Sequence, residues 1–120
     1  MGELDQARTD AFAARMVEIL NGAALALMTS IGRQTGLFEV MATLAPSTSA
    51  EIAAAAGLNE RYVREWLGAM VTGGIVDFDA ARRTYALPRE HAAVITSAAG
   101  PRNMARFART SPCSARSRRM

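Results

Sequence analysis

The feature that most constrains this chain is a pair of helix starts followed by a change of period. Thr48-Ser49-Ala50-Glu51 has the spacing of a capping box, in which a threonine and the glutamate three residues on satisfy each other's backbone N–H groups. The helix it opens, over residues 49–56, is short because Gly57 supplies a left-handed stop. Asn59 starts a second helix, over residues 59–72, and Gly73-Gly74 breaks it. Beyond that break, apolar Val76 and Phe78 alternate with polar Asp77 and Asp79, and Tyr85 and Leu87 alternate with Thr84 and Ala86. The period is that of strands, so a two-stranded hairpin with a basic tip at Arg82 and Arg83 is predicted. Pro88 suits the first turn of a further helix over residues 88–97, which Gly100-Pro101 closes. Two short helices, a tight turn and a hairpin give the order of a winged helix-turn-helix. Ala53 is expected where the two helices approach closest, with Val63 and Trp66 wedging the second helix against the first.

Upstream, Phe12, Met16, Ile19, Ala23, Leu27 and Ile31 recur every three or four residues, the helical period, over residues 5–34. Val17, Leu20, Ala24 and Met28 broaden that stripe until the helix is apolar nearly all round, so burial on more than one side is expected. Asn21-Gly22 marks a possible kink or break in this helix. A short helix over residues 36–44 carries Leu37, Phe38, Val40, Met41 and Leu44, and Pro46-Ser47 ends it. The fold class expected is mainly α: a winged helix-turn-helix with long N-terminal helices and one small β-hairpin wing. Three segments follow. Residues 1–47 form an N-terminal helical dimerisation segment, residues 48–100 the winged helix-turn-helix, and residues 101–120 the start of a linker helix (residues 103–108) and a disordered Arg/Ser-rich tail.

The net charge of +3 conceals an asymmetry. Residues 1–100 hold 8 Arg and all 11 acids, a balance of −3, whereas residues 101–120 hold 6 Arg and no acid, a balance of +6. The folded part is therefore mildly acidic, which argues against a nucleic-acid role for it. The single cysteine, Cys113, forms no internal disulfide and supports no metal site. The N-terminus, with Glu3, Asp5 and Asp10, lacks the basic start of a signal peptide. The longest uncharged run, residues 19–32, is short for a membrane span and contains Asn21, Thr29 and Ser30. A cytoplasmic protein without membrane contact is expected.

Several segments resemble one known domain. The run from Leu58 to Val76, LNERYVREWLGAMVTGGIV, is similar to the second helix and wing entry of the N-terminal winged helix of class I S-adenosylmethionine-dependent methyltransferases, including the O-methyltransferase type. NGAALALM (residues 21–28), TGLF (35–38), SAEIA (49–53) and YALPREHA (85–92) are similar to the same family. The resemblance covers residues 10–108 and is strongest to a bacterial branch labelled either methyltransferases or transcriptional regulators. It implies a domain that pairs two subunits and roofs the substrate pocket of a following Rossmann-like catalytic domain. It implies S-adenosylmethionine for the full-length family. No cofactor is expected in this chain, because a cofactor loop needs a strand, a Gly-rich turn and a helix in that order. Gly73-Gly74 precedes a strand, and Gly32 and Gly36 lie between helices. From Arg109 the sequence departs from the family, and a truncated or frameshifted gene product is the expectation.

The expected function is thus a non-catalytic dimerisation and substrate-lid domain of a methyltransferase-like protein. Its partners would be a second copy and a methyltransferase catalytic domain. The expected dimer interface is Phe12, Met16, Ile19, Leu20, Leu27, Met28 and Ile31. A small winged-helix DNA-binding regulator is the first alternative, with Arg61, Arg64, Arg82 and Arg83 as DNA contacts. It is not favoured, because Glu60 and Glu65 cancel Arg61 and Arg64. A non-functional remnant is the second. No catalytic or metal site is expected: His91 reads as a satisfied structural histidine, Asp77 and Asp79 as a solvated face, and Tyr62 and Trp66 as core or interface.

Overall fold

In the computed structural model the described residues are 2–97 together with Asn103 and Ala105. The rest of the predicted linker helix and tail, with Cys113, Gly100 and Pro101, lies outside the described residues.

Five helices and one hairpin follow the predicted order. The first helix, α1 (Gln6–Gln34), opens where the Asp5 side chain accepts the Arg8 backbone N–H. It runs without a break through Asn21 and Gly22, at about 1.5 Å per residue some 43 Å in all. The predicted interruption is absent because one glycine costs a helix only about 1 kcal/mol, which the long apolar run outweighs. Thr35 and Gly36 then turn the chain, Gly36 at φ 78°, into α2 (Leu37–Thr43).

The capping box forms as predicted. Thr48 accepts the Glu51 N–H while the Glu51 carboxylate accepts the Thr48 N–H at 2.8 Å, opening α3 (Ser49–Ala56). Gly57 ends it at φ 69°. Asn59 caps α4 (Glu60–Thr72) by accepting the Arg61 and Tyr62 N–H groups. Strands β1 (Asp77–Asp79) and β2 (Thr84–Ala86) pair antiparallel, Phe78 opposite Tyr85. Ser47 extends the sheet by one bridge to Tyr85. Pro88 caps α5 (Arg89–Ile95), one position earlier than its predicted place in the first turn.

The core sits where α2, α3, α4 and the root of α1 meet: Leu37, Phe38, Met41, Ile52, Ala53, Val63, Trp66, Leu67 and Met70, closed by Val76 and Leu87 at the open end of the hairpin. Trp66 packs at 5.3 Å between centroids on Phe38, and its indole N–H donates to the Met28 carbonyl at 2.8 Å. Gly32 leaves the space for this pair, since a Cβ there would lie 2.5 Å from the Trp66 ring and 2.8 Å from Phe38. A Cβ on Gly73 would likewise meet Leu25 at 2.6 Å, so this glycine serves the packing of α1 on the end of α4.

Candidate functional site: an unpaired helix face and the wing

Three surfaces remain once the core is placed. The first is the N-terminal half of α1. Every residue from 2 to 24 is exposed except Met16, which is half-buried. Helical spacing of about 100° per residue puts Phe12, Met16, Ile19, Leu20 and Leu27 within an arc of about 100° on one side. Leu25 and Gly32, which meet the core, lie on the other side. At the root this same side is used: Ser30, five turns on from Phe12 and at the same angle, is fully buried. The stripe is free because it lies ahead of the packed root, with Phe12 60% and Leu20 61% exposed and Ile19 and Leu27 about half exposed. Of the seven residues expected in a dimer interface, Met28 and Ile31 pack partly buried against the core beside Tyr62 and Trp66. The other five stay on the unpaired face.

The second surface is a groove of about 470 Å³ between α1 and α4, floored by Gly22, Ala24, Gly68, Ala69 and Gly73 and edged by Asn21 and Thr72. Small residues on facing helices make the hollow. That signal lay in the sequence, though the pairing of those two stretches did not.

The third surface is the helix-turn-helix and wing. Arg61 pairs with Glu65 and Arg64 with Glu60, each at 3.6 Å one helical turn apart. Glu60 also accepts the Ser49 hydroxyl at 2.6 Å, which ties α4 to the start of α3. The exposed side of α4 thus presents cancelled charge. At the wing tip Asp79 accepts the backbone N–H groups of Ala81 and Arg82, so this carboxylate shapes the turn. Arg82 and Arg83 are exposed. Arg83 is the one non-glycine residue at positive φ, 54°, among the described residues. Phe78 departs from its expected inward alternation: it is 42% exposed and packs on Tyr85 at 4.8 Å. Val76 and Leu87, opposite each other at the open end of a hairpin only three pairs long, already fill the core there.

His91 is half-buried with Nδ1 2.7 Å from the Ile75 carbonyl. A carbonyl only accepts, so Nδ1 carries the proton and the ring fastens α5 to the turn after α4. No cluster of three or more His, Cys, Asp or Glu occurs among the described residues. Nor do those residues fit S-adenosylmethionine. The glycine pair leads from a helix into a strand, Gly73 is committed to Leu25, and the one sheet is an antiparallel hairpin.

Helix α1 is long and apolar enough to cross a membrane, with mean hydropathy 1.4 in its most apolar window, where the uncharged run alone had looked too short. Leu25, Met28 and Ile31 pack against the core, however, and Ser30 and Gly32 are buried. The free part carries Arg8, Asp10, Arg15 and Glu18, each costing about 2.5–3.5 kcal/mol at the centre of a bilayer.

Comparison with known proteins places the chain. A family model described as an Rv2258c-like winged HTH domain matches residues 23–97. Among solved structures, the mitomycin 7-O-methyltransferase MmcR is similar at 26% identity and a TM-score of 0.72, over 90% of this chain and 32% of that one. The S-adenosylmethionine-dependent methyltransferase SibL, in its apo form, aligns at 23% identity and a TM-score of 0.63, over 78% of this chain and 27% of that one. At that identity the second likeness is one of fold alone. The chain thus spans about a third of the length of these solved relatives. No curated protein matches it in sequence.

Proposed function

We infer a function from one premise: the chain belongs to the family of Rv2258c-like winged helix-turn-helix domains. The reading is a non-catalytic module that pairs two subunits through α1 and roofs the substrate pocket of a methyltransferase-like catalytic domain. The observation that carries it is the exposed apolar stripe of α1. A helix that keeps Phe12, Ile19, Leu20 and Leu27 largely in water, along a stretch ahead of its packed root, has the composition of an interface. A two-fold pair would bury the same stripe from both copies. The similarity to MmcR, an O-methyltransferase of about three times this length, supports a neighbouring catalytic domain as the second partner. S-adenosylmethionine would then be held by that domain. A cytoplasmic location goes with this reading, α1 being a pairing face and not a span.

Sedimentation of the purified chain tests the pairing. A dimer at micromolar concentration is expected, and Ile19→Asp with Leu20→Asp should give a monomer of unchanged circular dichroism. A wild-type chain that stays monomeric at about 100 μM would sink the reading, because a standard interface of about 800 Å² per partner holds far below that. Calorimetry with S-adenosylmethionine should give no heat. Saturable heat would place a cofactor site here and remove the ground for a purely non-catalytic module.

The regulator reading keeps one supporting observation, the exposed Arg82 and Arg83 at the wing tip. It requires sequence-dependent DNA binding at physiological salt. The pairing reading expects at most weak binding that disappears as salt rises.

A further inference from the structure

The two faces of the wing differ in a way that neither pairing nor roofing a pocket requires. One face, with Pro46, Thr84 and an edge of Phe78, which borders both faces, carries Asp77, Asp79 and Arg82, an excess of one negative charge. The other looks across a cleft of about 510 Å³ at the starts of α3 and α4, where the charged side chains are Glu60, Arg64 and Arg83, an excess of one positive charge.

Inside the cleft the charges are not equivalent. Glu60 is occupied by the Ser49 hydroxyl and by Arg64. Among the described residues the cation of this cleft without an acidic partner is Arg83, the last residue of the hairpin loop, whose left-handed backbone belongs to the turn. The wall beside it is the Phe78 and Tyr85 pair, tilted by 39°, with Phe78 left exposed although the core is complete without it. An exposed aromatic wall recognises a flat ring, and a guanidinium fork recognises a carboxylate.

We propose that the cleft between the wing and the starts of α3 and α4 binds a planar aromatic carboxylate, its ring against Phe78 and Tyr85 and its carboxylate facing Arg83. Arg64 sits second in line, because binding there competes with Glu60. The proposal is independent of the pairing of α1, whose stripe lies on another helix.

Two-dimensional NMR of the full 120-residue chain, titrated with 2-naphthoate and with the uncharged 2-naphthalenemethanol, tests it. Saturable shifts are expected at Thr48, Phe78, Arg83 and Tyr85, with the alcohol at least tenfold weaker. Arg83→Gly removes the charge while suiting the left-handed backbone, so it should stay folded and weaken naphthoate about tenfold. Phe78→Ala, at an exposed position, should weaken both compounds. Equal binding of the alcohol, an unaffected Arg83→Gly variant, or shifts centred on Asn21 and Gly73 would each overturn the proposal. So would a DNA duplex that saturates the same cleft at physiological salt where naphthoate does not, which would assign it to a phosphate backbone.

Discussion

The root and the free half of α1 are one helix with one kind of sequence, and they live in different surroundings. At the root, Gly32 lies against Trp66 and Phe38, Met28 gives its carbonyl to the Trp66 indole, and Ser30 is fully buried. Towards the other end, Phe12, Ile19 and Leu20 have the same helical spacing and remain in water. Periodicity therefore sets what a helix offers, and neighbours in space decide what is accepted. Among the described residues the acceptors are α2 and α4, and they reach only as far back as Leu25.

That contrast can be broken or sharpened by substitution. The largest effect belongs to Trp66→Ala, which empties the centre of the root contact and should cost about 3–5 kcal/mol. For a domain with a total stability of about 5–15 kcal/mol this is a large fraction. Urea denaturation followed by circular dichroism measures it. Next is Gly32→Ala. The added methyl meets two rigid rings, so a loss of about 1–3 kcal/mol is expected. A neutral result would mean that the root packs less tightly than the distances state.

The capping box comes third. Thr48→Ala should cost about 1 kcal/mol at neutral pH. The box also makes a pH signature. Hydrogen bonds from the Thr48 backbone N–H, and then from its side chain, hold the Glu51 carboxyl below its ordinary value of 4.5. A carboxyl lowered in the folded state stabilises above its unfolded pKa, and that contribution fades as pH falls through the folded one. Stability curves of wild type and Glu51→Gln should therefore converge below about pH 4.5. Parallel curves would show that the box is not closed in solution. Smallest is Phe12→Ser in the free half, which should change the stability of the monomer by no more than about 0.5 kcal/mol. A loss as large as that of Gly32→Ala, measured on a monomer, would erase the distinction between the two halves.

What the sequence discloses follows the range of the interaction. Caps, left-handed glycines and the change from helical to strand period act within four residues, and all three of Thr48, Gly57 and Asn59 do what their spacing implies. Contacts between distant segments are not written locally. Ser97 is 58 residues from Glu39, whose carboxylate accepts its backbone N–H at 2.8 Å and fastens the end of α5 to α2. Trp66 is as opaque in sequence, 38 residues from the carbonyl it bonds. Alternation failed at Phe78 because a three-residue strand offers the core little beyond its two flanks. Arg83 gave no signal at all, since arginine is not a residue that marks positive φ. The unpaired stripe of α1 was legible as surplus apolar girth. How far along the helix it stays exposed required knowing where the core ends.

The unbroken passage of α1 through Asn21 and Gly22 has a mechanical consequence. A helix with a loose joint there would let the winged domain swivel freely about whatever holds the far end. A continuous one acts as an axle, and the heading of the domain is fixed by a count of residues. One residue inserted at position 23 would swing the wing by about 100° about that axle and push it only about 1.5 Å along it. Orientation in such an arrangement is stored as phase.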